Sequence, residues 1–262
     1  MVISDANQTL TADFRGKSWI SSTHFKRPLV KSDKQRFFGR RKGRPLNKQR
    51  REALRLLEAY GISSKLLESG ALFHPKDLFE DRYDRFNLEI GFGNGEFLKN
   101  LLRNNPDEGF IGAEPFMNGV AALLKDLQDT SGKSLPGNLR IWPDDIRPLL
   151  EIFQSDSFDT IYILNPDPWP KKRHNKRRIV NPQTLDQLSK ILRRGGKLIM
   201  TTDVDDLAEW MAIQLTNHSD FRWNVTAPSN STEKPEGWLS TRYETKGKQA
   251  GRNQHYLTAK KL

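Results

Sequence analysis

The chain of 262 residues contains no cysteine. That absence excludes a thiolate zinc site, a disulfide framework and a cysteine nucleophile. Apolar runs approaching the ~18 residues of a membrane-spanning helix are missing as well. The opening Met1-Val2-Ile3-Ser4-Asp5 lacks the apolar stretch of a secretory signal. A cytoplasmic protein with no membrane partner is the expectation. Acidic residues are absent from a whole segment: residues 34–51 hold nine Lys or Arg and no Asp or Glu. Overall, 43 Lys and Arg stand against 32 Asp and Glu, a formal net charge of +11. Such an excess favours a polyanionic partner, of which nucleic acid is the commonest.

What is present falls into three stretches. Residues 1–33 are polar and without apolar periodicity, and read as a flexible extension. Residues 34–61 read as a basic arm running into a short helix. Asn47 is placed to cap that helix, Ala53, Leu54, Leu56, Leu57 and Tyr60 form its apolar stripe, and Gly61 stops it. From residue 62 onward one larger domain is expected. Short apolar runs at 87–90, 110–113, 139–142, 160–164 and 197–201 read as strands, with two more around 222–225 and 255–259. Between them lie helical patterns. Phe97, Leu98, Leu101 and Leu102 share one face, as do Val120, Leu123, Leu124 and Leu127. Leu185, Leu188, Ile191 and Leu192 follow the Asn181-Pro182 start signal, and that helix is expected to stop at Gly195-Gly196. Another helix is expected over 207–215. Strands alternating with helices imply an α/β fold with a mostly parallel sheet covered on both faces. In such sheets the ligand site lies beyond the carboxyl ends of the strands.

Two loops carry the chemistry. The first, Glu89-Ile90-Gly91-Phe92-Gly93-Asn94-Gly95, spaces its glycines as G-x-G-x-G. Dinucleotide folds favour G-x-G-x-x-G, so a nucleoside-type cofactor fits better than one with a pyrophosphate. Carboxylates stand at successive strand ends: Glu89 in the first turn, Glu114 after the second strand, and Asp144-Asp145 after the third. An acid ending strand two is well placed for ribose hydroxyls, acids after strand three for an adenine amino group, and Glu89 for a cationic methionyl end. Each acid taken singly also reads as a cap of the helix that follows. This arrangement resembles the class I S-adenosylmethionine-dependent methyltransferases.

The second loop is Asn165-Pro166-Asp167-Pro168-Trp169-Pro170, followed by six Lys or Arg in the eight residues 171–178. Prolines stiffen the turn, Trp169 offers a stacking surface, and the basic run supplies phosphate contacts. The sequence is identified here as similar to the bacterial tRNA (guanine-N7-)-methyltransferases. Their P-D-P-W-x-K-x-R-H-x-K-R-R segment is matched by Pro166-Asp167-Pro168-Trp169, Lys171, Arg173-His174 and Lys176-Arg177-Arg178. The likeness extends to Phe38–Arg44, to Thr201-Thr202-Asp203 and to Thr241-Arg242-Tyr243-Glu244, covering roughly residues 36–260.

The resemblance implies a Rossmann-like class I fold with a seven-stranded sheet, S-adenosyl-L-methionine as cofactor and tRNA as partner, with a variable-loop guanine as target. It places cofactor binding on Glu89, Gly91, Gly93, Gly95, Glu114 and Asp145, catalysis on Asp167, and substrate contact on Lys171, Asp203, Thr241, Arg242, Tyr243 and Glu244. Asp145 is chosen over Asp144 by its distance to the next helix. No metal is implied, and a monomer or weak homodimer is expected. The arm at 34–51 is expected to touch phosphates away from the target base, with little influence on the cofactor. His24, His74, His218 and His255 have no acid partner at ligand spacing and read as packing or surface residues. Rival readings are another class I RNA or DNA methyltransferase and a non-catalytic nucleic-acid binder. An adenine amino-methyltransferase would carry N/D-P-P-aromatic, which Asp167 interrupts, and a cytosine C5 enzyme would need the missing cysteine.

Overall fold

The computed structural model describes residues 37–80, 82–130, 136–223, 234, 235, 238 and 240–262. The sequence-predicted extension at 1–33, the start of the arm at 34–36 and the strand residues at 224–225 lie outside them. The strands are β1 (Phe86–Ile90), β2 (Gly109–Ala113), β3 (Leu139–Trp142), β4 (Phe158–Leu164), β5 (Leu192–Thr202), β6 (Phe221–Arg222) and β7 (His255–Lys261). They form one seven-stranded sheet in the order β3-β2-β1-β4-β5-β7-β6. Every pairing from β3 across to β5 is parallel, and β7 runs antiparallel to both of its neighbours. This is the Rossmann-like, mostly parallel α/β sheet expected from the sequence. Chain order reverses between β1 and β4, and such a switch point opens a crevice at the strands' carboxyl ends.

The helices are α1 (Lys48–Ala53), α2 (Leu57–Tyr60), α3 (Lys65–Ser69), α4 (Glu96–Asn104), α5 (Met117–Thr130), α6 (Arg147–Ile152), α7 (Pro182–Ile191), α8 (Asp205–Thr216) and α9 (Arg242–Gln249). Buried side chains divide into two clusters. One joins Leu98 and Leu102 of α4 and Leu123 and Leu124 of α5 to Phe110, Leu139 and Ile141. The other joins Leu149, Leu185, Leu188 and Met211 of α6, α7 and α8 to Ile111, Ala113 and Trp142. Within β2 and β3 the residues alternate between the clusters, as side chains on a strand must, so both faces of the sheet are covered.

Local signals mostly hold. The side chain of Asn47 accepts from the Arg50 amide at 2.9 Å, and that of Asn181 accepts from the Thr184 amide at 3.0 Å. The stop of α7 does not. The helix ends at Ile191, because Leu192 is drawn into the sheet opposite Phe158 while Lys197 pairs with Thr160. The Gly195-Gly196 pair therefore sits in a bulge inside β5, with Gly195 at φ 75°, rather than capping the helix.

Candidate active site

The first loop forms where β1 turns into α4. Gly91, Gly93 and Gly95 all have positive φ, at 78°, 56° and 75°. Side chains are tolerated poorly there, and at Gly95 a Cβ would also meet Leu123 at 2.5 Å. Gly119, in the first turn of α5, gave no sequence signal beyond being a glycine inside a helix. A Cβ on it would lie 2.2 Å from the Gly93 carbonyl, so its bareness lets the loop seat against α5.

Glu114 fixes the same loop from the end of β2. Its Oε2 accepts from the Gly93 amide at 2.7 Å and its Oε1 from the Phe116 amide at 2.8 Å. Burial nonetheless raises its pKa above the usual carboxylate value, outweighing those two donors, and the negative charge of Asp167 pushes in the same direction. Glu89 is 3% exposed and its Oε2 accepts no hydrogen bond among the described residues. Burial first, and the nearby Glu114 second, push its pKa up to about 8.

Asp144 and Asp145 follow β3. Asp145 holds Arg147 in a bidentate pair, with Nη2 at 2.7 Å and Nε at 2.9 Å, while Asp144 accepts from Arg41 of the arm. The second loop leaves β4 under backbone strain. Asn165 and Trp169 have φ of 45° and 44°, a conformation rare for bulky side chains and concentrated at functional sites. Asp167 is exposed between them.

These parts meet in one cleft of about 700 Å³, lined by Gly91, Glu114, Asp145, Asn165, Asp167 and Trp169 among others. Its far wall was not foreseen: Phe37, Phe38, Gly39 and Arg40 of the basic arm also line it. The arm is pinned there. The Met117 amide donates to the Arg41 carbonyl at 3.1 Å, the Gly43 amide to Asn118 Oδ1 at 2.8 Å, and Asn118 Nδ2 to the Arg44 carbonyl at 2.8 Å. The arm, expected to touch phosphates away from the target base, thus also forms part of the cleft.

The basic run is less uniform than its composition suggests. Arg178 is 2% exposed, donates to the Pro168 carbonyl at 2.9 Å and to Asp206, and lies over Trp210. It is a structural pin rather than a phosphate contact. Arg177 lies over the rings of both Phe38 and Trp169, and Lys171, Lys172, Arg173 and Lys176 stay exposed.

Glu89, Gly93, Gly95, Lys171 and the remaining predicted residues stand outside the cleft lining. Asp203 is buried beneath Tyr243, whose hydroxyl donates to it at 3.3 Å, and is paired with Arg252 at 2.7 Å. Thr241 and Glu244 form a reciprocal cap on α9. Glu244 also accepts from Trp238 and Tyr256, so its carboxylate is fully engaged. Arg242 begins that helix. Two histidines do have acid partners, from other elements: His218 with Asp186 at 3.2 Å and His255 with Asp205 at 2.8 Å. Sequence spacing gave no sign of either pair, since each is made by tertiary packing. Among the described residues, no helix is long and apolar enough to cross a membrane.

Residues 84–257 match the family model described as "Putative methyltransferase". A tRNA (guanine-N(7)-)-methyltransferase of Rhodospirillum rubrum is 37% identical over 231 residues, spanning 88% of this chain and 89% of its own. One from Chelativorans sp. is 40% identical over 223 residues, spanning 85% and 93%. Among solved structures, the 16S rRNA methyltransferase KamB aligns over 71% of this chain and 92% of its own, with 15% identity and a TM-score of 0.49.

Proposed function

The chain belongs to the tRNA (guanine-N(7)-)-methyltransferase family, and from that premise we propose that it methylates N7 of a tRNA guanine from S-adenosylmethionine in the cleft between β1 and β4. The observation that carries this reading is the gathering of Gly91, Glu114, Asp145, Asp167 and Trp169 around one cavity. The cavity suits that cofactor on its own chemistry. Behind the lining, in β1, Glu89 has a buried carboxyl oxygen that accepts no hydrogen bond among the described residues, matching a cationic methionyl end. At Gly91 nothing lies within 4 Å of where a Cβ would stand, which leaves room for close approach. Glu114 keeps lone pairs for ribose hydroxyls beyond its two amide bonds. When bound, the cofactor supplies an electrophilic methyl on a sulfonium.

Guanine N7 bears a lone pair and no proton, so no base has to act before attack. The residues align the purine and stabilise the charge it gains. Asp167 hydrogen-bonds the guanine edge and favours the cationic product. The exposed Lys171, Lys172, Arg173 and Lys176 bind phosphates. Asp203 acts one layer back, steadying Tyr243 against the nucleotide.

The decisive test is incubation of unmodified tRNA with methyl-labelled cofactor followed by nucleoside analysis. Label in 7-methylguanosine is expected, and label in any other nucleoside rejects the reading. Asp167→Ala should lower turnover by about 10²–10³, the scale of one lost charge-stabilising group.

A further inference from the structure

The guanidinium of Arg177 lies over the rings of both Phe38 and Trp169. Its central carbon lies 4.5 Å from the Phe38 centroid and 5.0 Å from that of Trp169, both within cation–π range. Arg177 Nε is buried and has no hydrogen-bond partner among the described residues. Departure of the guanidinium therefore breaks no bond made by that nitrogen. Both rings line the same cavity as Asp167 and Glu114. The arm that carries Phe38 is held in place by Arg41, Gly43 and Arg44. Two aromatic rings at the cleft thus already hold one planar cation.

We propose that Phe38 and Trp169 form a cation slot that takes the target purine in place of Arg177 and stabilises it as it becomes positively charged. This rests on the methyl-transfer reading above. In the step, the N7 lone pair forms the new N–C bond while the S–C bond breaks. The sulfonium's charge passes to the purine and a neutral thioether leaves. The guanine is neutral before the step and a flat cation after it. Two aromatic faces then bind the transition state more strongly than the ground state, which raises turnover rather than affinity. Phe38 is a positioning and charge-stabilising residue that the motif in the second loop does not reveal.

The test compares wild type with Phe38→Leu, which keeps apolar bulk and loses the ring, and Phe38→Tyr, which keeps the ring. Phe38 is 37% exposed and lies outside both buried clusters, so the fold should tolerate both changes. With saturating tRNA, Phe38→Leu should slow the single-turnover rate about tenfold with little change in KM, and Phe38→Tyr should restore it. Inhibition by 7-methylguanosine monophosphate should exceed that by guanosine monophosphate in wild type, and Phe38→Leu should lose the preference. A Phe38→Leu enzyme with unchanged turnover, or with the preference intact, overturns the slot, because the carboxylates would then account for it. Failure of wild type to make 7-methylguanosine would instead reject the underlying function.

Discussion

Glu89 has one buried carboxyl oxygen that finds no donor among the described residues, and its pKa is pushed up to about 8 by burial and by Glu114. A buried acid of this kind is held protonated at neutral pH by the fold. A cationic ligand end would favour the ionised form, so binding should expel a proton below pH 8. Affinity should then rise with pH and level off above 8. Calorimetry with S-adenosylhomocysteine in buffers of differing ionisation enthalpy reads that proton, and a flat profile contradicts it. The sign for stability is opposite. Ionisation is easier in the unfolded chain, so Glu89 leaves the fold unpenalised below about pH 4.5 and destabilises it increasingly between there and 8. Glu89→Gln should accordingly raise the Tm of the free enzyme at pH 7 while weakening the cofactor, the gain being at most about 3 kcal/mol. Glu114 differs, because it holds the loop through Gly93 as well as facing the cleft. Glu114→Ala should cost at least about tenfold in cofactor affinity, as expected of a charge-assisted contact.

At the scale of elements, the 3-10 turn at Lys172–Arg177 is anchored by the residue that follows it. Arg178→Ala would leave the Pro168 carbonyl and Asp206 without their partner and remove the cover from Trp210. About 2–4 kcal/mol of stability should be lost, seen as a lower Tm, whereas Lys172→Ala should leave Tm unmoved and weaken only tRNA binding. Composition could not separate these two cations, because burial decides which one is open to a ligand. The first four strands are legible within a residue or two, since their apolar runs are short and bounded, whereas β5 begins at Leu192, five residues before the expected 197. The end of α7 is ambiguous in sequence, because a Gly-Gly pair signals a helix cap and a sheet bulge equally well, and only the pairing of Leu192 with Phe158 tells them apart. The helix α9 was missed for lack of an apolar face, although Thr241 and Glu244 spell a capping box in the sequence. Loss of that cap in Thr241→Ala should cost about 1 kcal/mol, a structural effect to subtract before any kinetic change is assigned to substrate contact.

At the scale of the whole molecule, the acids of the cleft were readable because each ends a strand, and a parallel sheet gathers strand ends at one edge. The arm was not, because a run of basic residues carries no address: its docking depends on Asn118 and on the backbone of Met117, which no pattern in residues 34–51 announces. Its position changes what its removal should do. Were the arm only a phosphate tether, its deletion would reduce the salt slope of tRNA binding and leave the cofactor alone. With Phe37–Arg40 lining the cavity and Arg41 held by Asp144, the two affinities are expected to be coupled. Arg41→Ala should loosen the arm and weaken S-adenosylhomocysteine binding several-fold in the complete absence of RNA. Mutating the exposed Lys48, which makes only a marginal contact with Glu52 at 4.0 Å, should shift tRNA affinity alone. Equal cofactor affinity in wild type and Arg41→Ala would return the arm to a purely electrostatic role. A selective loss would make one segment serve both ligands, closing the cofactor's cleft with the same residues that meet the RNA.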